Sequence, residues 1–165
     1  MDRSSRSHGR VRRASSAVAG VALIGMLSAC SISIPVDPDD TLGSVTGGVL
    51  RVGTSPDGEL VDVSGGDPSG TIVDLVDRFA DSIDADTEWT VASEETLVTE
   101  LEAGDLDLIA GGITPDTPWI DKAGVTRAYR GIEGDDGREL VMLVPLGENA
   151  FLSKLERFLD EEVGG

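Results

Sequence analysis

The side chains that most often carry catalysis or hold metals are nearly missing from this chain. Its 165 residues include one histidine, His8, and one cysteine, Cys30, both near the N-terminus. From Ser31 onward there is neither an imidazole nor a thiol. Histidine-activated nucleophiles and zinc held by His or Cys therefore have no residues to use. A single cysteine also leaves nothing for an intrachain disulfide or a C-x-x-C redox pair. What remains is carboxylate. Acid–base work needs two carboxyl groups in unequal surroundings, and Asp57, Asp67 and Glu95 are the candidates. In a chain with 31 Asp+Glu, carboxylates meet by chance, so these residues predict no enzyme. No catalytic residue, metal site or cofactor is assigned. Binding is the chemistry left.

Residues 1–29 explain where the cysteine stands. Arg3, Arg6, Arg10, Arg12 and Arg13 make a basic start opposed only by Asp2, and residues 14–29 are rich in Ala, Val, Leu and Ile. A membrane-spanning helix wants about 20 strongly apolar residues; this shorter, serine- and glycine-interrupted run fits a cleaved signal peptide. Leu27-Ser28-Ala29-Cys30 resembles the lipobox of bacterial lipoproteins. The resemblance implies that Cys30 becomes the first mature residue and carries lipid on its sulfur. It also implies a location at the cell membrane, lipid-anchored on the extracytoplasmic face. The alternative is an ordinary secretory signal with an incidental cysteine. The pair Arg12-Arg13 also leaves twin-arginine and general export both open.

Without residues 1–29 the chain keeps eight basic residues against thirty acidic ones, a net charge of −22, compared with −18 for the whole sequence. Nucleic-acid binding needs a basic footprint, and docking on an anionic membrane needs a basic patch, so both are excluded. Strong acidity fits either plain solubility or a cleft that attracts a cation.

The elements needed to position a site follow in order. Residues 30–47 read as a flexible tether rich in Pro, Asp, Gly and Ser. Within it Asp37-x-Asp39 lacks the sharp-turn glycine of a calcium loop, since Leu42 stands there. Val49-Leu50-Arg51-Val52-Gly53 is an apolar strand. Ile72, Leu75, Val76, Phe79, Ala80 and Ile83 recur at helical spacing, with Thr71 and Asp74 placed as a capping box. Residues 88–92 are a second strand. Ser93 caps a second helix with Glu94 and Glu95 in its first turn and Gly104 at its end. Residues 106–110 are a third strand. Thr117 is expected to cap a short helix with Pro118 first. A last strand over 139–144 and a last helix capped by Asn149 complete the chain. Strand–helix–strand–helix–strand at these lengths predicts α/β architecture: a mostly parallel sheet with right-handed crossovers and helices on both faces.

The order of five segments carries a resemblance. They are Gly48-Val49-Leu50-Arg51-Val52-Gly53; Gly70 through Asp74-Leu75 to Phe79; Leu101-x-x-Gly104-x-Leu106-Asp107-Leu108-Ile109; Gly111-Gly112-Ile113-Thr114-Pro115; and Thr126-Arg127-Ala128-Tyr129. In order and spacing they resemble extracellular solute-binding protein family 3, the amino-acid type of ABC importer. The resemblance implies a type II periplasmic-binding-protein fold, a small-molecule ligand such as an amino acid or amine, and an ABC permease as partner. It covers one lobe, residues 48–163. The family's chain passes into a second lobe after the tyrosine that matches Tyr129, whereas here only residues 130–138 intervene before the returning strand. The family's aromatic after the first strand is absent from Thr54-Ser55-Pro56-Asp57-Gly58. Its carboxylate-gripping arginine, two residues after Thr-Pro, is Thr117 here, which cannot supply a bidentate fork.

The ligand-binding residues expected are Ser55, Asp57, Gly112, Ile113, Thr114, Thr117 and Arg127. The first six belong to the carboxyl ends of strands and a helix start, where open α/β sheets bind ligands; Arg127 is the anion-binding candidate. Two functions stay open: a reduced, one-lobed solute-binding protein, or an envelope scaffold that has lost its ligand.

Overall fold

The structure, a computed structural model, describes residues 37–164. The signal peptide, Cys30 and the first part of the expected tether lie outside the described residues. Elements run in the order α1 (Thr41–Val45), β1 (Val49–Thr54), α2 (Thr71–Asp81), β2 (Asp86–Val91), α3 (Glu94–Ala103), β3 (Leu108–Ile109), β4 (Ala123–Val125), β5 (Leu143–Pro145) and α4 (Asn149–Glu162). They form one five-stranded sheet in the order β2-β1-β3-β5-β4. β1 lies between β2 and β3 and is parallel to both, with Val52 opposite Trp89 and Leu108. β5 is antiparallel to β3 and β4, so it alone opposes the common direction.

Strand alternation divides the core into two layers of packing. Leu108 and Val144 point to one side, with Leu50, Val52, the apolar face of α2 and Phe151, Leu155 and Leu159 of α4. Ile109 and Leu143 point to the other, with Leu97, Val98 and Leu101 of α3. Phe79 stacks edge-on against Phe151 at 5.8 Å between centroids and tilts against Phe158 at 5.5 Å. Phe79, Leu101, Leu108, Leu143 and Leu155, all expected inside, are fully buried or nearly so. Each such side chain contributes roughly 1.5–3 kcal/mol of transfer free energy. No helix among the described residues is long and apolar enough to cross a membrane.

The helix ends differ from the sequence reading, each for a local reason. Thr71 is the first residue of α2 and not its cap. Gly70 occupies the cap position at φ 123°, and a side chain there would strike the Glu59 and Leu60 carbonyls at 2.7 Å. Those same carbonyls accept the Thr71 and Ile72 N–H groups, so no hydroxyl cap is needed. Asn149 is likewise inside α4, whose cap position is Glu148. Ser93 and Gly104 do end α3 as expected. The tether reading fails after Asp40: Thr41–Val45 is helical, with Thr41 and Val45 buried. The helix expected from Pro118 does not form. Lys122 and Ala123 both donate to the Trp119 carbonyl, closing one turn before β4 begins. One turn fixes several dihedrals for very few hydrogen bonds, and β4 leaves no room to propagate it.

Candidate functional site

The crossover through α2 joins β1 to β2, and the crossover through α3 returns past β1 to β3. The two leave β1 in opposite directions, so a crevice opens at the carboxyl ends of β1 and β3. Thr54, fully buried, donates its hydroxyl to the Ala110 carbonyl at 2.7 Å, and the Ala110 N–H donates to Gly53 at 3.0 Å. These bonds hold the two strand ends together up to Thr54 and Ala110. Beyond them the backbones separate as Ser55-Pro56-Asp57 and Gly111-Gly112-Ile113. Between them is a recess of about 50 Å³, also lined by Glu94 from the first turn of α3. Ligand pockets for small molecules run roughly 300–1,000 Å³, so this one is small.

The Asp57 carboxylate on its lining is already engaged. Arg138, at the end of the link over residues 130–138, reaches back to Asp57. Nη1 donates to Oδ2 at 3.0 Å, Nη2 to Oδ1 at 3.2 Å, and Nε to the Asp135 carbonyl at 3.0 Å. The hydrogen bonds to Asp57, and then the negative charges of Asp57, Asp136 and Asp135, raise the Arg138 pKa above the usual arginine value against the cost of desolvation. Asp57 Oδ2 lies so close over Gly112 that a Cβ there would come within 1.3 Å of it and within 3.2 Å of Arg138 Nη1. Gly112 is therefore glycine because the carboxylate occupies the side-chain space.

The link itself is held by Asp135. Its carboxylate accepts the N–H groups of Gly131 at 2.8 Å, Ile132 at 3.1 Å and Gly137 at 2.7 Å. Those bonds, that from Gly137 first, hold its pKa below the ordinary aspartate value. Glu94 accepts the Trp119 indole N–H at 3.2 Å. The recess thus presents two carboxylates, Asp57 and Glu94, with one guanidinium between strand ends and link.

Four of the residues expected at a site, Ser55, Asp57, Gly112 and Ile113, do line this recess. Thr114 and Thr117 do not. Thr114 donates its hydroxyl to Asp116, and its carbonyl accepts the Thr117 N–H at 3.1 Å. Thr117 is buried, its hydroxyl accepting the Trp119 N–H at 3.5 Å. Without the helix at Pro118, no row of free N–H groups points at the crevice from that side. Arg127 turns away to α4, where it pairs with Asp160 at 2.7 Å and Glu156 at 3.3 Å and covers the Tyr129 ring. Asp67 and Glu95 are exposed and outside the recess. Sequence reasoning missed Glu94 and Arg138. Glu94 carried a signal, as an acid in the first turn of a helix that starts at the carboxyl edge of the sheet. Arg138 carried none, because its neighbour Asp57 is 81 residues away.

A larger open groove of about 600 Å³ lies at the opposite, amino-terminal edge of the sheet. Its two cations are already paired, Arg51 with Asp107 at 2.6 Å and Lys122 with Glu102 at 2.9 Å. Parallel strands present their ligand edge at the carboxyl end, so volume is a poorer guide here than position.

The fold is that of a periplasmic-binding-protein lobe. The arginine-bound form of domain 1 from TmArgBP superimposes with a TM-score of 0.60 at 22% identity, over 68% of this chain and 92% of that one. An ancestral arginine-binding protein bound to arginine gives 0.59 at 13% identity, covering 72% and 93%. An ancestral cyclohexadienyl dehydratase gives 0.55 at 14% identity, covering 68% and 86%. No protein-family model matches the sequence, and no curated protein matches it significantly.

Proposed function

We propose that this chain is an extracytoplasmic solute-binding lobe, anchored to the cell membrane by lipid on Cys30, that takes a small cationic ligand such as a basic amino acid or amine. The observation that carries the reading is the placement of Asp57 and Glu94 on one recess at the carboxyl ends of β1 and β3, floored by Gly111 and Gly112. Two carboxylates on a strongly acidic lobe attract a cation and repel an anion. Domain 1 of TmArgBP in its arginine-bound form supports the idea that one lobe of this fold holds a ligand without a second. The lipobox-like Leu27-Ser28-Ala29-Cys30 supports the anchor, and the fold supports delivery to an ABC permease. One lobe buries less of a ligand than two, so affinity is expected at micromolar or weaker, about −8 kcal/mol or less favourable.

The scaffold reading has its own support, because the recess is small and its Asp57 carboxylate is already engaged by Arg138. A thermal-shift and NMR titration with arginine, lysine, an alkyl diamine and glutamate separates the two. Saturable shifts at Gly112 and Glu94 with the cations, and none with glutamate, are expected. Silence across the whole set leaves the scaffold.

A further inference from the structure

We infer that Arg138 is the site's own occupant: its guanidinium sits on Asp57 where a cationic ligand would bind, and a ligand enters by exchanging with it. This rests on the cation-binding reading above and narrows it to one chemical class. The contact is a two-pronged fork, Nη1 and Nη2 onto the two oxygens of one carboxylate. Planar guanidinium meets a carboxylate in that way, whereas an ammonium behaves as a point charge. Gly112 leaves that carboxylate the space it needs over the recess, where any side chain at 112 would meet it.

Exchange needs Arg138 to leave without unfolding its surroundings, and the link is built for that. Gly131, Ile132 and Gly137 are fastened by the Asp135 carboxylate, which holds the turn whether or not the Arg138 side chain is in place. The Arg138 side chain is about one-third exposed and Asp57 slightly less, so water can reach the pair as it opens. A partly exposed pair is weak. On the same recess Glu94 adds a second carboxylate, met by the Trp119 indole and by no cation among the described residues. An incoming guanidinium therefore gains what Arg138 has and a second acid as well. The site is a self-occupied guanidinium receptor.

The affinity of such a site is reduced by the fraction of time the internal group is bound. The full-length protein in detergent is titrated with N-methylguanidinium and with methylammonium at constant ionic strength, following the Arg138 side-chain N–H and the Gly112 N–H by NMR. In the wild type, N-methylguanidinium is expected to shift both signals together, and methylammonium to do so several-fold more weakly. R138Q should bind N-methylguanidinium about fivefold more tightly, the gain from removing a closed, partly exposed pair. R130Q removes an equal charge from the Arg130–Glu139 pair and should bind as the wild type does. Equal affinity in wild type and R138Q, with shifts at Gly112, overturns the exchange while leaving cation binding intact. The same gain in R130Q as in R138Q overturns it too, as a general charge effect. Loss of all binding in every form overturns both readings.

Discussion

The buried carboxylate of Glu148 accepts the backbone N–H of Thr41 at 2.7 Å, joining residues 107 positions apart. It also accepts the Asp39 N–H at 2.8 Å. The relation is reciprocal, because the Asp37 carboxylate accepts the Ala150 N–H at the start of α4. Each helix is capped by an acid from the segment leading into the other. This pins residues 37–45 to the body of the lobe, where composition alone reads as linker.

Glu148→Ala is expected to cost about 2 kcal/mol, since two backbone donors lose a charged acceptor and one is buried. Hydrogen exchange at Thr41 to Val45 should rise well before global unfolding. Chemical denaturation with exchange mass spectrometry checks both. Unchanged protection of α1 would show that its own contacts hold it.

Phe79→Ala removes the ring on which Phe151 and Phe158 both rest. The expected loss is ~3–5 kcal/mol, a large part of a typical domain's stability. Denaturant midpoints measure it, and a loss under about 1 kcal/mol would mean that the two phenylalanines of α4 do not depend on it.

How far the sequence could be read depends on the range of the interaction. The face of α2, the apolar strands and the Ser93 and Gly104 ends of α3 were legible because each follows from residues within a few positions. Gly70, Glu148 and Arg138 were not. Gly70 is set by carbonyls at 59 and 60, Glu148 by N–H groups at 39 and 41, and Arg138 by Asp57. Thr71 and Asn149 looked like caps because local chemistry permits it, but tertiary contacts supplied the acceptors first. At the site, Ser55, Asp57, Gly112 and Ile113 were legible as strand ends. Thr117 was misplaced with the helix that does not form, and Arg127 because its partners on α4 lie about thirty residues later.

Cys30→Ser tests the anchor proposed from the lipobox-like sequence. Processing at residue 30 and membrane retention should both fall, since the sulfur that would carry the lipid is gone. Metabolic labelling with a fatty-acid analogue and membrane fractionation report on it. Wild-type behaviour of the mutant would remove the lipoprotein reading.

Tyr129 is the chain's single tyrosine, which makes its titration directly readable. Burial pushes its pKa from 10.0 up to about 12, with Arg127 opposing that rise. Its hydroxyl donates toward the Glu156 carbonyl at 3.1 Å and Asp160 at 3.2 Å. The native state therefore keeps the proton after the unfolded chain has lost it. Stability conferred by this group is complete below pH 10 and falls as pH rises toward about 12. Ultraviolet difference titration should show phenolate forming late, and Tyr129→Phe should remove that part of the alkaline loss. Ionisation near the ordinary value would show the ring to be solvated.

Gly112→Ala puts a methyl where Asp57 Oδ2 now lies, 1.3 Å from the new Cβ. Backbone conformation at 112 is not in the left-handed region, so alanine itself is not strained there. The obstacle is a carboxylate at the end of a side chain, which can swing aside. The expected result is a break of the Asp57–Arg138 pair with stability changed by no more than about 1 kcal/mol, partly offset by the stiffer unfolded chain. Cation binding should be lost, although R138Q, which breaks the same pair, strengthens it. The difference lies in where the free carboxylate ends up: R138Q leaves it over the recess, and G112A fills the recess and displaces it. Isothermal titration with N-methylguanidinium on the two variants reads this contrast, and tight binding by G112A would place the ligand somewhere else on the lobe.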